Sequence, residues 1–343
     1  ASDVYKRQIY VDVYELTELS FGAIYTEEEK TGYFKIPFIH AAAAAFGFGA
    51  PPLIEGLEFE DDNLSPEVAI NYYINEETSV YVAYKKAFKS GGIDNSALPT
   101  ASINPLSPTF EGFDALIYDS EEVDGFEIGL KSNLLDNNMR LNATYYKYEY
   151  TDLQVQLFDA AIIQFSTFNA GAVETEGFEA DLLWYTDIPG LSLRGQFAWT
   201  DATNTGDFIT PGGENLKGSK RSYSPEIAGS FGLSYDSGLS NGWRYNISTD
   251  ARYSDEYGWG TYIDSPMQDS FWINDVALSL YSEDGKHSFN LIGRNLGDEI
   301  VIITGGAIPG RISTQSGTSA LIQDQAVTTQ QGKTFTLQYK YKM

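Results

Sequence analysis

The sequence predicts an all-β chain, an antiparallel up-and-down sheet of the kind that crosses a membrane as a β-barrel. Three observations predict it. Apolar and polar residues alternate with period two through most of the 343 residues. The connections between these segments are short and long in turn. Tyr 24, Phe 20 and Trp 5 together make up 14% of the chain, an aromatic supply that suits the two interfaces of a bilayer. No apolar run reaches the ~18 residues that a membrane helix needs.

Composition narrows the function classes. Lys+Arg is 22 against Asp+Glu 48, a formal net charge of -26. A chain this acidic has no basic face for nucleic acid, and it does not suit docking on an anionic membrane surface. Cys is 0, so there is neither a disulfide framework nor thiol chemistry. With His40 and His287 as its only histidines, the chain cannot build a His-rich metal site.

Strands are expected from near Ile9 onward, over 9–15, 19–30 and 64–74 and then along the rest of the chain. Leu141, Ala143 and Tyr145 alternate with Asn142, Thr144 and Tyr146. Phe178, Ala180, Leu182 and Trp184 share one face; Glu179 and Asp181 take the other. After the turn at 186–190, Leu191, Leu193, Gly195, Phe197 and Trp199 alternate with Ser192, Arg194, Gln196, Ala198 and Thr200. Phe231, Leu233 and Tyr235 repeat the pattern, as do Tyr245, Ile247, Thr249, Ala251 and Tyr253. The last strand sets Phe335, Leu337, Tyr339 and Tyr341 against Thr334, Thr336, Gln338 and Lys340. Several segments reach the ~10 residues that let a tilted strand cross a bilayer.

Short turns are expected at 134–138, 186–190, 236–242 and 282–286. Long polar loops are expected at 90–120, 201–221, 254–269 and 300–332. In an up-and-down sheet alternate connections share one end, so the long loops gather on one rim. A soluble antiparallel sheet with one solvated face gives the same alternation, but its connections have no reason to sort by length.

Residues 3–8, DVYKRQ, are what the string GATGTGTATAAGAGACAG encodes, and that string is similar to a transposon-end sequencing adaptor. Residues 1–8 are accordingly expected to be adaptor read-through, with the barrel domain over 9–343 and the true N-terminus lying upstream.

Five stretches together carry a family resemblance: SVYVAYKKAFKSGGI at 79–93; FEIGLKSNLLDNNMRLNATYYKYEYTDLQVQ at 126–156; NAG, ETEGFEADLLW and GLSLRGQFAWTD within 169–201; FNLIGRNLGD at 289–298; and GKTFTLQYKYKM at 332–343. In this order they resemble the C-terminal part of the barrel of TonB-dependent outer-membrane receptors. The resemblance implies roughly thirteen strands of a barrel of about 22, with the plug domain, the TonB-binding box and the early strands upstream. Met343 departs from the aromatic residue with which the family usually closes. The implied function is energy-dependent uptake of a scarce nutrient such as a ferric siderophore, a corrinoid or a glycan. The implied partners are outer-membrane lipid and lipopolysaccharide, the plug domain and, through it, the TonB complex. A passive porin or adhesin barrel and a secreted soluble β-sheet protein are the alternatives.

Two sets of side chains are candidates. Phe110, Phe113, Tyr118, Phe208, Tyr257, Trp259 and Tyr262 in the long loops offer aromatic surface to a ligand; a membrane-interface girdle explains such residues equally. Arg140, Arg194, Arg244, Arg252 and Arg294, with Glu179, Asp181 and Asp250, would face the lumen and a plug. The bland reading of these is a polar wall. The acidic run Glu27–Glu29 and the pairs Asp61–Asp62 and Glu121–Glu122 read as solvated rims, and His287 as a turn residue. No nucleophile–base constellation or phosphate loop stands out, so neither enzymatic chemistry nor a cofactor nor a metal is expected.

Overall fold

The computed structural model describes residues 2–35, 53–94, 112–159, 164–210, 213–259, 267–307 and 325–342. Thirteen antiparallel strands form one sheet: β1 (Ser2–Tyr14), β2 (Thr17–Phe34), β3 (Ile54–Asn75), β4 (Thr78–Lys89), β5 (Glu121–Leu134), β6 (Met139–Thr151), β7 (Val173–Tyr185), β8 (Leu191–Asn204), β9 (Ile227–Gly238), β10 (Arg244–Ser254), β11 (Phe271–Tyr281), β12 (His287–Arg294) and β13 (Thr334–Tyr341). Each strand pairs only with its sequence neighbours, so the order in space is the order in the chain. This is the up-and-down meander that the alternating loop lengths predict.

Register carries the two-face pattern from strand to strand. Phe197 lies opposite Ala180 and Gly229, while its neighbour Gln196 lies opposite Asp181 and Ser230. Leu278 lies between Ile247 and Leu291, and Leu291 opposite Leu337. A slip of one residue would turn every side chain over. The register irregularities in β1, β2 and β3 fall near strand ends and spare the faces.

The apolar face is bare. Phe231 is 51% exposed, Trp272 52% and Leu337 78%. Among the described residues no second layer covers it; the hydrophobic cluster of buried residues is only Ile54, Leu57 and Leu116, near the loop-bearing rim. Leaving one Phe or Leu in water forgoes about 1.5–3 kcal/mol. Repeated over thirteen strands, that cost demands an apolar medium outside the sheet.

Aromatic residues mark where that medium ends. Toward the long loops the apolar face carries Tyr84, Phe126, Tyr145, Phe178, Trp199, Tyr253 and Trp272; toward the short turns it carries Tyr235, Tyr245, Phe289 and Tyr339. Neighbours within a row touch, as Tyr253 and Trp272 do at 5.0 Å and Phe289 and Tyr339 at 4.9 Å between ring centroids. Tyr245 and Tyr253 stand at opposite ends of β10. At ~3.3 Å per residue their separation along the strand is about 26 Å, which a barrel-strand tilt of about 35–45° turns into about 19–22 Å of height, within the ~25 Å apolar band of an outer-membrane barrel.

The strands run longer than the membrane-crossing segments legible in the sequence. β3 has 22 residues. The extensions rise beyond the loop-side aromatic row, where the outward face turns charged. Lys147 bridges Glu174 at 2.9 Å, Lys86 bridges Glu122 at 2.9 Å and Lys220 bridges Asp201 at 2.6 Å. Exposed pairs of this kind contribute about 0–1 kcal/mol each. Their weight is as a boundary, because they tolerate water and not lipid.

At the other rim the turns are tight. Leu135, Asp136 and Asn137 take positive φ of 54°, 54° and 65°, a conformation that Asp and Asn tolerate better than most residues. Gly190, at φ 83°, lets the turn press on the next strand: a Cβ there would lie 1.9 Å from the Asp236 carbonyl oxygen, and the Asp236 amide donates to the Gly190 carbonyl at 2.9 Å.

Candidate functional site

The long connections fold back on themselves. Among the described residues, four short strand pairs that the alternation did not reveal stand in them: Gly92–Ile93 with Ile117–Tyr118, Gln154–Asp159 with Gln164–Asn169, Tyr257–Gly258 with Met267–Gln268, and Ile302–Ala307 with Gln325–Thr329. They form two connected groups over the rim.

The first group joins the extensions of β2 and β3 to the 90–120 and 152–172 loops. Phe113 and Ile93 pack on Ile54, Leu57 and Leu116. The side-chain amide of Gln154 donates to the carbonyls of Ser90 and Asp119, each at 3.1 Å, and its backbone N–H donates to Glu121 at 2.9 Å. The Thr167 amide donates to Asp94 at 2.7 Å. Tyr118 rests on Gly92, where a Cβ would lie 2.9 Å from its hydroxyl.

The second group joins three loops. The Tyr257 hydroxyl donates to the Ile302 carbonyl at 3.1 Å, the Ile302 amide donates to Gln268 at 2.9 Å, and the Gly305 amide donates to the Tyr223 hydroxyl at 3.2 Å. Trp259 is 6% exposed, its ring lying where a Gly305 Cβ would sit, 2.2 Å away. Below them Asn295, 2% exposed, ties β11 to the last long loop: its amide N–H donates to Asp275 at 2.8 Å and its side chain to the Glu299 carbonyl at 2.8 Å. Phe208 meets Phe168 of the first group at 6.4 Å between centroids.

Of the seven aromatics expected to meet ligand, Phe110 and Tyr262 lie outside the described residues. Phe113, Tyr118, Phe208, Tyr257 and Trp259 all stand at this rim, and each is engaged by a neighbouring segment. Tyr257 and Trp259 in particular act as pins between loops. Gln154, Tyr223 and Asn295 do comparable work without having been singled out. Their contacts are long-range, and nothing local distinguishes a loop Gln or Tyr that will find a distant carbonyl.

A turn in the second group gives a pH prediction. The Asn215 amide donates to Asp207 at 3.0 Å and Lys217 lies 2.9 Å from the same carboxylate. Asn215 first, then Lys217, holds the Asp207 carboxyl below its ordinary value. A depressed carboxylate stabilises the fold above its unfolded pKa of about 3.9 and loses that contribution as pH falls through the folded value. Protease nicking of 205–218 should therefore rise below pH 4 in the native protein. In Asp207→Asn it should be high already at pH 7 and change little on acidification.

The eight charged candidates share the polar face. Arg140 lies 3.9 Å from Asp181, which also accepts from Asn142 at 3.1 Å; Arg252 lies 3.1 Å from Asp275. Arg194 bonds Asp250, and Arg244 bonds Asp236. Glu179 and Arg294 stand on the same face by register. These pairs run across adjacent or next-adjacent strands and are a quarter to two-thirds exposed, so they are cheap to exchange for another partner.

A family model described as TonB dependent receptor-like, beta-barrel, matches residues 41–296. Among curated proteins none matches the sequence. Solved structures do match in fold. The ferric yersiniabactin uptake receptor FyuA of Yersinia pestis superposes with a TM-score of 0.75 at 13% identity, over 99% of this chain and 45% of that one. The siderophore receptor PiuA of Acinetobacter baumannii gives 0.67 at 18% identity, over 99% and 43%. The copper transporter OprC gives 0.68 at 14% identity, over 99% and 48%. The chain thus spans less than half the length of these structures. A one-layer meander with lipid-ready and water-ready faces, all long loops on one rim and a family match over most of its length have one common account: the chain belongs to the TonB-dependent receptor β-barrel family.

Proposed function

We propose that this chain is the wall and loop-bearing rim of an outer-membrane receptor that takes up a scarce nutrient, of the class of a ferric siderophore, a corrinoid or a glycan, at the expense of energy delivered by TonB. Outer-membrane lipid and lipopolysaccharide surround the apolar face. The upstream plug fills the lumen, and the TonB complex acts on that plug. The single observation that carries this reading is the interlocked loop layer on one rim of a polar-lined wall. A receptor must hold a ligand at its rim before moving it, and loops tied to one another by long-range hydrogen bonds are fixed in position for that. The chain's part is binding and enclosure, and no bond is made or broken.

The test is uptake by the full-length gene. It is expressed in a Gram-negative host lacking its own ferric-siderophore and cobalamin receptors, and growth is scored on a panel of ferric siderophores, cobalamin and oligosaccharides supplied at nanomolar to micromolar level. Growth on one class that disappears when tonB is deleted is the expected result. Unselective entry of small solutes that survives loss of TonB would replace the receptor with a porin.

A further inference from the structure

The 201–221 loop ends by running back along the extension of β8. The Asn204 amide donates to the Ser219 carbonyl and the Arg221 amide to the Ala202 carbonyl, each at 2.9 Å. A bridge sets Lys220 opposite Thr203. Side chains alternate along this returning segment as they do in a strand. Lys220 turns outward, where it bonds Asp201 at 2.6 Å. Arg221 turns to the polar face, beside Ala202 and Asn204.

Arg221 lacks what Arg140, Arg194, Arg244 and Arg252 have, a carboxylate within ion-pair reach. Among the described residues its guanidinium has one partner, the side-chain oxygen of Asn204, which accepts at 3.3 Å. Asn204 is buried and fixed in turn, its side-chain amide donating to the Ser219 hydroxyl at 2.9 Å. Arg221 itself is half-buried. Burial pulls its guanidinium down from its ordinary pKa, and Glu121 acts the other way from beyond ion-pair reach. Glu121 is already engaged, by Lys89 at 3.6 Å and by the Gln154 amide at 2.9 Å. A guanidinium has five N–H donors in a planar fork. Withdrawn from water with one acceptor, it is costly until an anion supplies the missing oxygens.

There is room for that anion. Arg221 lines a cavity of about 530 Å³ between the returning segment and residues 255–258 and 267–270, a volume in the range of small-ligand pockets. Hydroxyls of Thr200 and Ser219 share the lining. Two carboxylates of that lining bond to outward-facing aromatics: Glu226 accepts from the Trp199 indole at 3.3 Å and Asp255 from the Tyr253 hydroxyl at 2.8 Å. A third, Glu256, is exposed.

We propose that Arg221 and this cavity are a subsite for a carboxylate arm of the ligand, the planar fork taking both oxygens of the carboxylate. This rests on the receptor reading and adds the chemistry by which the rim holds its ligand.

The probe is citrate, set against sodium chloride at equal ionic strength, on the full-length receptor in detergent micelles. Amide exchange is timed at Asn204 and Arg221, whose N–H groups tie the returning segment to β8. A ligand that binds only the closed segment slows its exchange in proportion to the excess over Kd, so citrate at about ten times its Kd should slow both amides about tenfold. Amides of β9 and β10 should not respond. Arg221→Gln keeps the backbone bond to Ala202 and should abolish the citrate effect. No slowing in the native receptor, or slowing that persists in Arg221→Gln, overturns the subsite. In the uptake test the same variant should raise the half-saturating ligand concentration about tenfold with the maximal rate unchanged; an unchanged half-saturating concentration overturns the part given to Arg221 in holding the ligand. Absence of any TonB-dependent growth would instead remove the receptor reading, and citrate protection would still decide the subsite.

Discussion

Phe231→Arg should abolish assembly of the barrel, while Ser234→Arg three residues along the same strand should be tolerated. Phe231 is midway between Ile227, near the loop-side aromatic row, and Tyr235 in the turn-side row, on the apolar face of β9, opposite Gly195 and Ala251. An arginine at the bilayer midplane costs about 2–4 kcal/mol on a barrel's lipid face, and the lost aromatic surface adds to that. A typical fold is stable by only about 5–15 kcal/mol, so the change consumes a large share. Ser234 lies opposite Ser192 and Ser248 on the polar face, with Asn246 bonding it at 2.8 Å. There a guanidinium meets water. Heat-modifiable gel migration of the full-length receptor, after dilution from urea into detergent micelles, reads both outcomes. Equal yields for the two variants would mean that the face assigned to lipid is not in lipid.

Trp259→Ala should release the second loop group without harming the wall. The indole is nearly buried and fills the space beside Gly305. Truncating a buried Trp costs about 3–5 kcal/mol. Among the described residues, the loops it joins are otherwise tied by the Tyr223, Tyr257 and Gln268 hydrogen bonds. Amide exchange should accelerate at Tyr223 and Ile302, whose N–H groups donate to Gly258 and Gln268, and stay slow in β9 and β10. Ligand affinity should fall with it, because a layer that must first be ordered binds at the cost of that ordering. Unchanged exchange at Ile302 would show that Trp259 pins nothing.

The two variants act on parts of the molecule that differ in how far the sequence discloses them. Phe231 is legible from its neighbours alone. Ser230, Gly232 and Ser234 flank an apolar residue with period two, and a strand has only two faces. The sidedness of Arg194, Asp250 and Arg252 follows by the same counting. Even the sorting of the rims follows from loop lengths, because alternate connections of a meander cannot do otherwise.

Trp259 is not legible in this way. Its partner Gly305 is 46 positions away, and Tyr223 finds Gly305 across 82. Which loop closes on which is set by the spatial neighbourhood of strand ends and by exits that no local pattern encodes. The same holds for Tyr81, whose ring lies over Gly129 and whose hydroxyl stands 3.2 Å from that of Thr144. That Tyr81 faces the lumen is a matter of parity. That it lies flat depends on Gly129 standing opposite and Thr144 one strand further, a coincidence of register across three strands. The sequence by itself determined the faces, the rims and the family, because those rest on local periodicity and length. The tertiary structure alone decided the knitted loops, the arginine–carboxylate pairing and the lie of the Tyr81 ring, because each needs residues far apart in the chain to arrive at one place.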